Sequence, residues 1–233
     1  MPFFIDFKML SLNDTKLLAI MTMINKKERD PGELRVSRQI QSSLRSWFCT
    51  MIIIANYELK INGDGIFFFC KSNEATAMCP LCHGMLKHRD WRSRIVRKAG
   101  GEKSYIMIRR LKCEKCGRLH NELPDFLSPY KHYRAEIIED VVDELVTSDD
   151  LETEDYPCEQ TMERWKEWIR SNTDRINGYL KSIAYRILDF SEALLGSKIS
   201  LLANLRDRGD GWLGIVNHLI YNSGGALQPV PSS

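Results

Sequence analysis

The chain predicts an α+β fold, a β-rich zinc ribbon near the N-terminus followed by a small helical bundle of helix-turn-helix type. Three observations carry this. Cysteines come in two tight pairs, Cys79-x-x-Cys82 and Cys113-x-x-Cys116. Between the pairs, two strand-like runs flank a Gly-Gly turn. Beyond residue 134, apolar residues recur at helical spacing.

The cysteine pairs come first. Two residues between thiolates let one backbone turn aim both sulfurs at one ion, and two such turns complete a tetrahedral site. Cys79, Cys82, Cys113 and Cys116 are therefore expected to hold Zn2+ in a structural role, since four thiolates leave no position open for water or substrate. Gly84 and Gly117 follow the pairs, where a tight knuckle is expected to require positive φ. His83, His88 and His120 read as surface residues or as supports behind the ligands. Two disulfides are the rival reading. They suit a secreted chain, but Asp6 and the lack of a basic region before an apolar core argue against a signal peptide. The expected setting is the reducing cytoplasm, with Cys49, Cys70 and Cys158 as free thiols.

Residues 1–50 read as an atypical N-terminal extension, disordered or preceding a misassigned start at Met51. They hold a lysine-rich stretch, Lys26 to Gly32, and a polar run, Ser37 to Ser46. Residues 51–134 form the first domain. A β-rich run from Met51 to Tyr57 and another from Ile66 to Cys70 flank Asn62-Gly63-Asp64-Gly65, a hairpin turn signal. Arg89 to Arg97 and Ser104 to Lys112 read as two strands joined across residues 98–103. Leu123 to Tyr133, with Pro124 and Pro129, reads as an extended connector.

Residues 135–222 form the helical domain. From Ala135 to Val146, the residues Ile137, Ile138, Val141, Val142 and Leu145 make one stripe, with Glu139, Asp140, Asp143 and Glu144 on the other side. An acidic loop follows, Thr147 to Tyr156. A second helix opens at Pro157 and runs to about Asn172. Its inner arc holds Cys158, Thr161, Met162, Trp165, Trp168 and Ile169, so Cys158 is expected to be packed. A third helix is expected from about Asp174 to Leu195, its stripe Ile176, Leu180, Ile183, Ile187 and Leu188. A fourth, shorter one is placed around Gly211 to Tyr221. Residues 223–233, with Gly-Gly, prolines and serines, are expected to fray.

The net charge of +2 over 233 residues conceals two opposite blocks. From Lys87 to Arg118, five lysines and seven arginines face three carboxylates, a net of +9. From Glu136 to Glu163 there are twelve carboxylates and no Lys or Arg, a net of −12. Charge blocks of this kind speak to partners and not to fold. Arg92, Arg94, Arg97, Arg109 and Arg110, with Trp91 and Tyr105 among them, suit phosphate or guanine contacts, so duplex DNA is the expected partner. Gln160, Thr161 and Arg164, with Lys166 on the flank, are candidate contacts at the start of a recognition helix. Against that helix stand a long preceding loop and the outward carboxylates Glu163 and Glu167.

No Gly-rich phosphate loop, serine elbow or His-Glu-x-x-His motif is present, so no catalytic residue and no small-molecule substrate are expected. No apolar run approaches the roughly 18 residues of a membrane helix. Two readings from other classes stay open. One is an adaptor that docks a transposase or polymerase; the other is a metal-dependent nuclease or recombinase using the acidic segment.

The order of motifs adds a family resemblance. Cys79-Pro-Leu-Cys82-His-Gly84 is followed by Arg109-Arg-Leu-Lys-Cys113-Glu-Lys-Cys116-Gly-Arg-Leu-His120. Glu122-Leu-Pro124, Pro129-Tyr-Lys-His-Tyr133 and Thr161-Met-Glu-Arg164-Trp165 come next. This resembles a bacterial domain-of-unknown-function family, mostly from Firmicutes, with a transposase-like zinc ribbon and a helix-turn-helix-like region. The resemblance runs from about Met51 to Tyr221 and is strongest from Cys79 to Trp168. It implies a DNA-binding protein associated with mobile elements, in targeting or regulation and not in strand cleavage. Met162-Glu163 stands where the family has Ile-Arg, which removes a positive charge from the helix.

Overall fold

A computed structural model describes residues 50–61, 67–72, 77–150, 157–188 and 192–229. The expectations for residues 1–49, including Cys49, for the turn from Asn62 and for 151–156 lie outside them. Six strands form one mixed sheet: β1 (Thr50–Ile54), β2 (Tyr57–Ile61), β3 (Phe67–Ser72), β4 (Leu86–Arg97), β5 (Lys103–Cys113) and β6 (Leu119–Pro124). Among the described residues, four α-helices follow: α1 (Ala135–Val142), α2 (Glu159–Leu188), α3 (Leu201–Arg206) and α4 (Trp212–Asn222). The α+β expectation holds.

The hairpin across residues 98–103 is there, with Arg97 opposite Lys103 and Leu86 opposite Cys113. Yet it is no isolated ribbon. The edge of β5 away from β4 pairs with β3 in parallel over Tyr105–Ile108 and with β6 antiparallel over Arg110–Lys112. The run read as one strand from Met51 to Tyr57 divides at Ala55. β2 pairs with β3, whereas β1 crosses to the far side and runs parallel to β6.

β1 ends the sheet on that side, and an edge strand leaves backbone groups without partners. Asn222, at the end of α4, covers part of this edge. Its Oδ1 accepts from the Ile53 N–H at 2.8 Å, and its Nδ2 donates to the Ile53 carbonyl at 2.8 Å.

One hydrophobic cluster joins sheet and helices. Ile53, Ile106, Ile108 and Leu123 pack with Ile138, Trp165, Ile176, Leu213 and Ile220. The boundary at 134/135 is thus a change of secondary structure within a common core. A smaller cluster on the other face, Ile52, Ile54 and Leu111, underlies the segment that bears the cysteines.

The helices depart from expectation in four places. α1 stops at Val142, and the chain leaves it through Glu144 in a left-handed conformation, so Leu145 is 69% exposed. The acidic side of α1 does not face water throughout. Glu139 is buried and accepts from the backbone N–H groups of Gly211 (2.6 Å) and Leu213 (2.8 Å), capping α4. Asp143 accepts from Arg206 Nε at 2.6 Å and Trp212 Nε1 at 2.8 Å.

Second, the helices expected on either side of residue 173 are one helix of 30 residues. The expected boundary falls at Ser171-Asn172-Thr173, whose side chains can compete for backbone groups. Here they bond back to carbonyls one turn earlier, Asn172 Nδ2 to Trp168 and Thr173 Oγ1 to Ile169, both at 2.9 Å. Third, α3 was not expected, although Ser200 caps it by accepting from the Ala203 N–H. Fourth, the segment expected to fray from Ser223 is held as far as Gln228, whose N–H donates to Asn172 Oδ1 at 2.8 Å. Its carbonyl takes Trp168 Nε1 at 3.0 Å, and Leu227 is buried. Among the described residues, no helix is long and apolar enough to cross a membrane.

Candidate metal centre

Two loops of matching geometry carry the cysteines. In the first, the Cys79 N–H donates to the Gly84 carbonyl and the His83 N–H to the Cys79 carbonyl, both at 2.9 Å. In the second, the Cys113 N–H donates to Arg118 (2.9 Å) and the Gly117 N–H to Cys113 (3.0 Å). The residue four past the first cysteine is left-handed in each, His83 at φ 54° and Gly117 at φ 72°. The expectation of positive φ thus holds at Gly117 but moves from Gly84 to His83.

Gly84 is required for a different reason. A Cβ there would lie 2.6 Å from Lys115 Cβ and 2.9 Å from Cys113 Sγ. The second loop fills the space where a side chain would go.

The four sulfurs converge. All lie within 4.8 Å of one another, with Cys79 and Cys116 3.9 Å apart and Cys82 and Cys113 3.4 Å apart. Zn–S bonds of about 2.3 Å imply tetrahedral edges of about 3.8 Å. The spacing fits such a site and is far too long for S–S bonds. All four cysteines are free, two buried, one half-buried and one exposed, so the group could hold a metal ion. Burial pushes the Cys79 thiol up to about 12 and raises Cys82 as well. Burial also works upward on Cys113, but the Cys116 N–H and the Cys82 thiol outweigh it and bring Cys113 down to about 7. A buried thiol held this far from ionisation needs a cation to become a thiolate.

Of the three nearby histidines, His120 touches the cluster. It is fully buried on β6, with Nε2 3.4 Å from Cys79 Sγ and Nδ1 2.5 Å from Thr50 Oγ1. Burial, with Arg118 adding to it, lowers its pKa to about 4 and keeps the ring neutral. His83 and His88 are exposed. Thr50 escaped sequence reading because the parallel β1–β6 pairing brings it in from 70 positions away.

The candidate DNA contacts separate into engaged and exposed groups. Arg109 holds Glu122 through two bonds of 2.6 Å, and Glu122 is 1% exposed. Arg110 is bidentate on Asp90. Arg94 is half-buried and donates to the Lys131 carbonyl at 2.5 Å. Arg97 lies over the Tyr133 ring, which meets Trp165 edge-on at 4.8 Å. Arg92, Lys103, Lys112 and Arg118 are exposed.

On α2, Gln160 and Arg164 are exposed, Thr161 is half-buried, and Lys166 faces Glu163 at 3.7 Å and Glu144 at 3.9 Å. Cys158 is exposed and not packed as expected. It precedes the helix, and the Thr161 hydroxyl beside it (3.2 Å) lowers its pKa. Trp165 and Trp168 face the core as expected.

Residues 79–165 match the profile of DUF6431, a domain of unknown function. The match opens at the first cysteine of the cluster and closes on Trp165 of α2. No curated protein and no solved structure matches the chain.

Proposed function

We propose that this chain is a zinc-ribbon protein that binds duplex DNA, acting in targeting or regulation for a mobile element in the bacterial cytoplasm. The observation that carries the proposal is the place of the cysteine cluster. Cys113 is the last residue of β5, paired with Leu86 at the root of the β4–β5 hairpin, in a segment with a net charge of +9. Zinc held by Cys79, Cys82, Cys113 and Cys116 would supply a structural cross-link that fixes this root. Arg92 of the hairpin, together with Lys103, Lys112 and Arg118, then presents positive charge to phosphates, and the half-buried Arg97 adds to it from its place over Tyr133. Gln160, Thr161, Arg164 and Lys166 are proposed as the contacts of α2. Arg94, Arg109 and Arg110 act by holding the sheet and its connector in shape. The link to mobile elements rests on the family resemblance of the motifs.

A second reading has its own support. Trp91, Ile95, Tyr105 and Met107 share one face of the hairpin by register, and Trp91 (37%) and Tyr105 (39%) are exposed. Exposed aromatics on this face, among Arg97, Lys103 and Arg109 in the same register, suit a protein partner such as a transposase or polymerase. The nuclease reading draws on the whole acidic segment, of which Glu139 and Asp143 are taken up in packing.

Fluorescence anisotropy of the zinc-loaded full chain, titrated with duplex from its own genomic flanks and with a scrambled duplex at two salt concentrations, tests the proposal. Binding that prefers the flanks and weakens steeply with salt is expected. No binding, or binding indifferent to salt, contradicts it. Protein capture that survives nuclease treatment would then favour the adaptor.

A further inference from the structure

The geometry points to His120 and Thr50 as a hydrogen-bond relay that orients the Cys79 thiolate for the metal and ties the loaded site to strand β1. This rests on the reading of the cysteine cluster as a zinc site. A metal-bound thiolate is an acceptor, so the group facing it must donate. His120 Nε2 lies 3.4 Å from Cys79 Sγ, within reach of an N–H···S bond. A neutral imidazole that donates through Nε2 accepts at Nδ1. The partner at Nδ1 is the Thr50 hydroxyl at 2.5 Å, which can supply that proton in preference to its other acceptor, the Leu119 carbonyl at 3.4 Å.

Every member is held in place. His120 and Thr50 face each other in the parallel β1–β6 register, and His120 has no exposed surface. On the same strand, Asn222 of α4 fastens Ile53. A continuous chain of bonds therefore runs from the cysteine cluster through β6 to β1. Residues that support metal ligands in this way commonly change metal affinity 10–100-fold when removed.

Chelator competition for Zn2+ and the absorption spectrum of the Co2+-loaded full chain test the relay in wild type, H120L, H120Q and T50V. His120→Leu removes the donor; His120→Gln restores an N–H near the position of Nε2. The relay predicts roughly 10–100-fold weaker Zn2+ binding and a shifted sulfur-to-cobalt charge-transfer band for H120L. H120Q should recover most of both, and T50V should fall between. Should H120L fail to fold, the recovery in H120Q and the loss in T50V decide the matter. Equal affinity and superimposable spectra in wild type, H120L and T50V would overturn the relay while leaving the zinc site standing. H120Q as impaired as H120L would also overturn it, because the donor would not be what counts. If wild type takes up no Zn2+ or Co2+, the zinc reading falls and the relay with it.

Discussion

At Gly84 the room for a side chain ends. Lys115 and the Cys113 sulfur, both from the other cysteine loop, occupy the place where a Cβ would stand. Gly84→Ala should therefore push the two loops apart. The expected cost is about 1–3 kcal/mol of stability, with zinc binding at least about tenfold weaker, read by thermal melt and chelator competition. The paired spacing of the cysteines was legible in the sequence, because two residues between thiolates leave few other uses. The reason for Gly84 was not, since it depends on a loop some thirty positions away. His120 was legible only as one histidine of three near the cluster. What singles it out is its place on β6, a strand buried from His120 to Pro124, and the parallel strand that brings Thr50 to it.

At the scale of elements, a run of like charges says little about which ones are free. The positive hairpin was visible in the sequence, and so were β4, β5 and the turn between them. Its pairing with carboxylates was not, because Glu122 lies on β6 and Asp90 meets Arg110 only through the β4–β5 register. Arg109 decides between a DNA contact and a support for the sheet. Removing it alone takes the bidentate cation from a buried carboxylate, so R109L should lose about 3–5 kcal/mol in denaturant unfolding. The double variant R109L/E122L should return to within about 1 kcal/mol of wild type and still bind DNA. Unchanged stability of R109L with lost DNA affinity would make Arg109 a phosphate contact instead. Helix α2 teaches the converse lesson. Ser171, Asn172 and Thr173 stand where two helices were expected to meet, but their side chains bond to carbonyls of their own helix and the tail carbonyl at Gln228, and the helix continues.

Across the whole molecule, the cysteine cluster, the sheet and the helices form one connected structure. The loops with the cysteines rest on β5 and β6, β1 meets them through His120, and α4 holds β1 through Asn222. Gly224, just beyond α4, packs so closely on the first loop that a Cβ there would lie 2.9 Å from the Pro80 carbonyl oxygen. The sequence showed a ribbon and a helical bundle in succession; the common core that joins them arises from pairings between distant strands, which local periodicity does not report. If zinc at the cluster holds this arrangement, its removal should be felt well beyond the loops. The most direct test is the metal content of the purified full chain, followed by its thermal melt with and without a strong chelator. One zinc per chain and a melting temperature lowered by at least about 10 °C on chelation are expected. A chain that carries no zinc, with a melt indifferent to chelator, would contradict this.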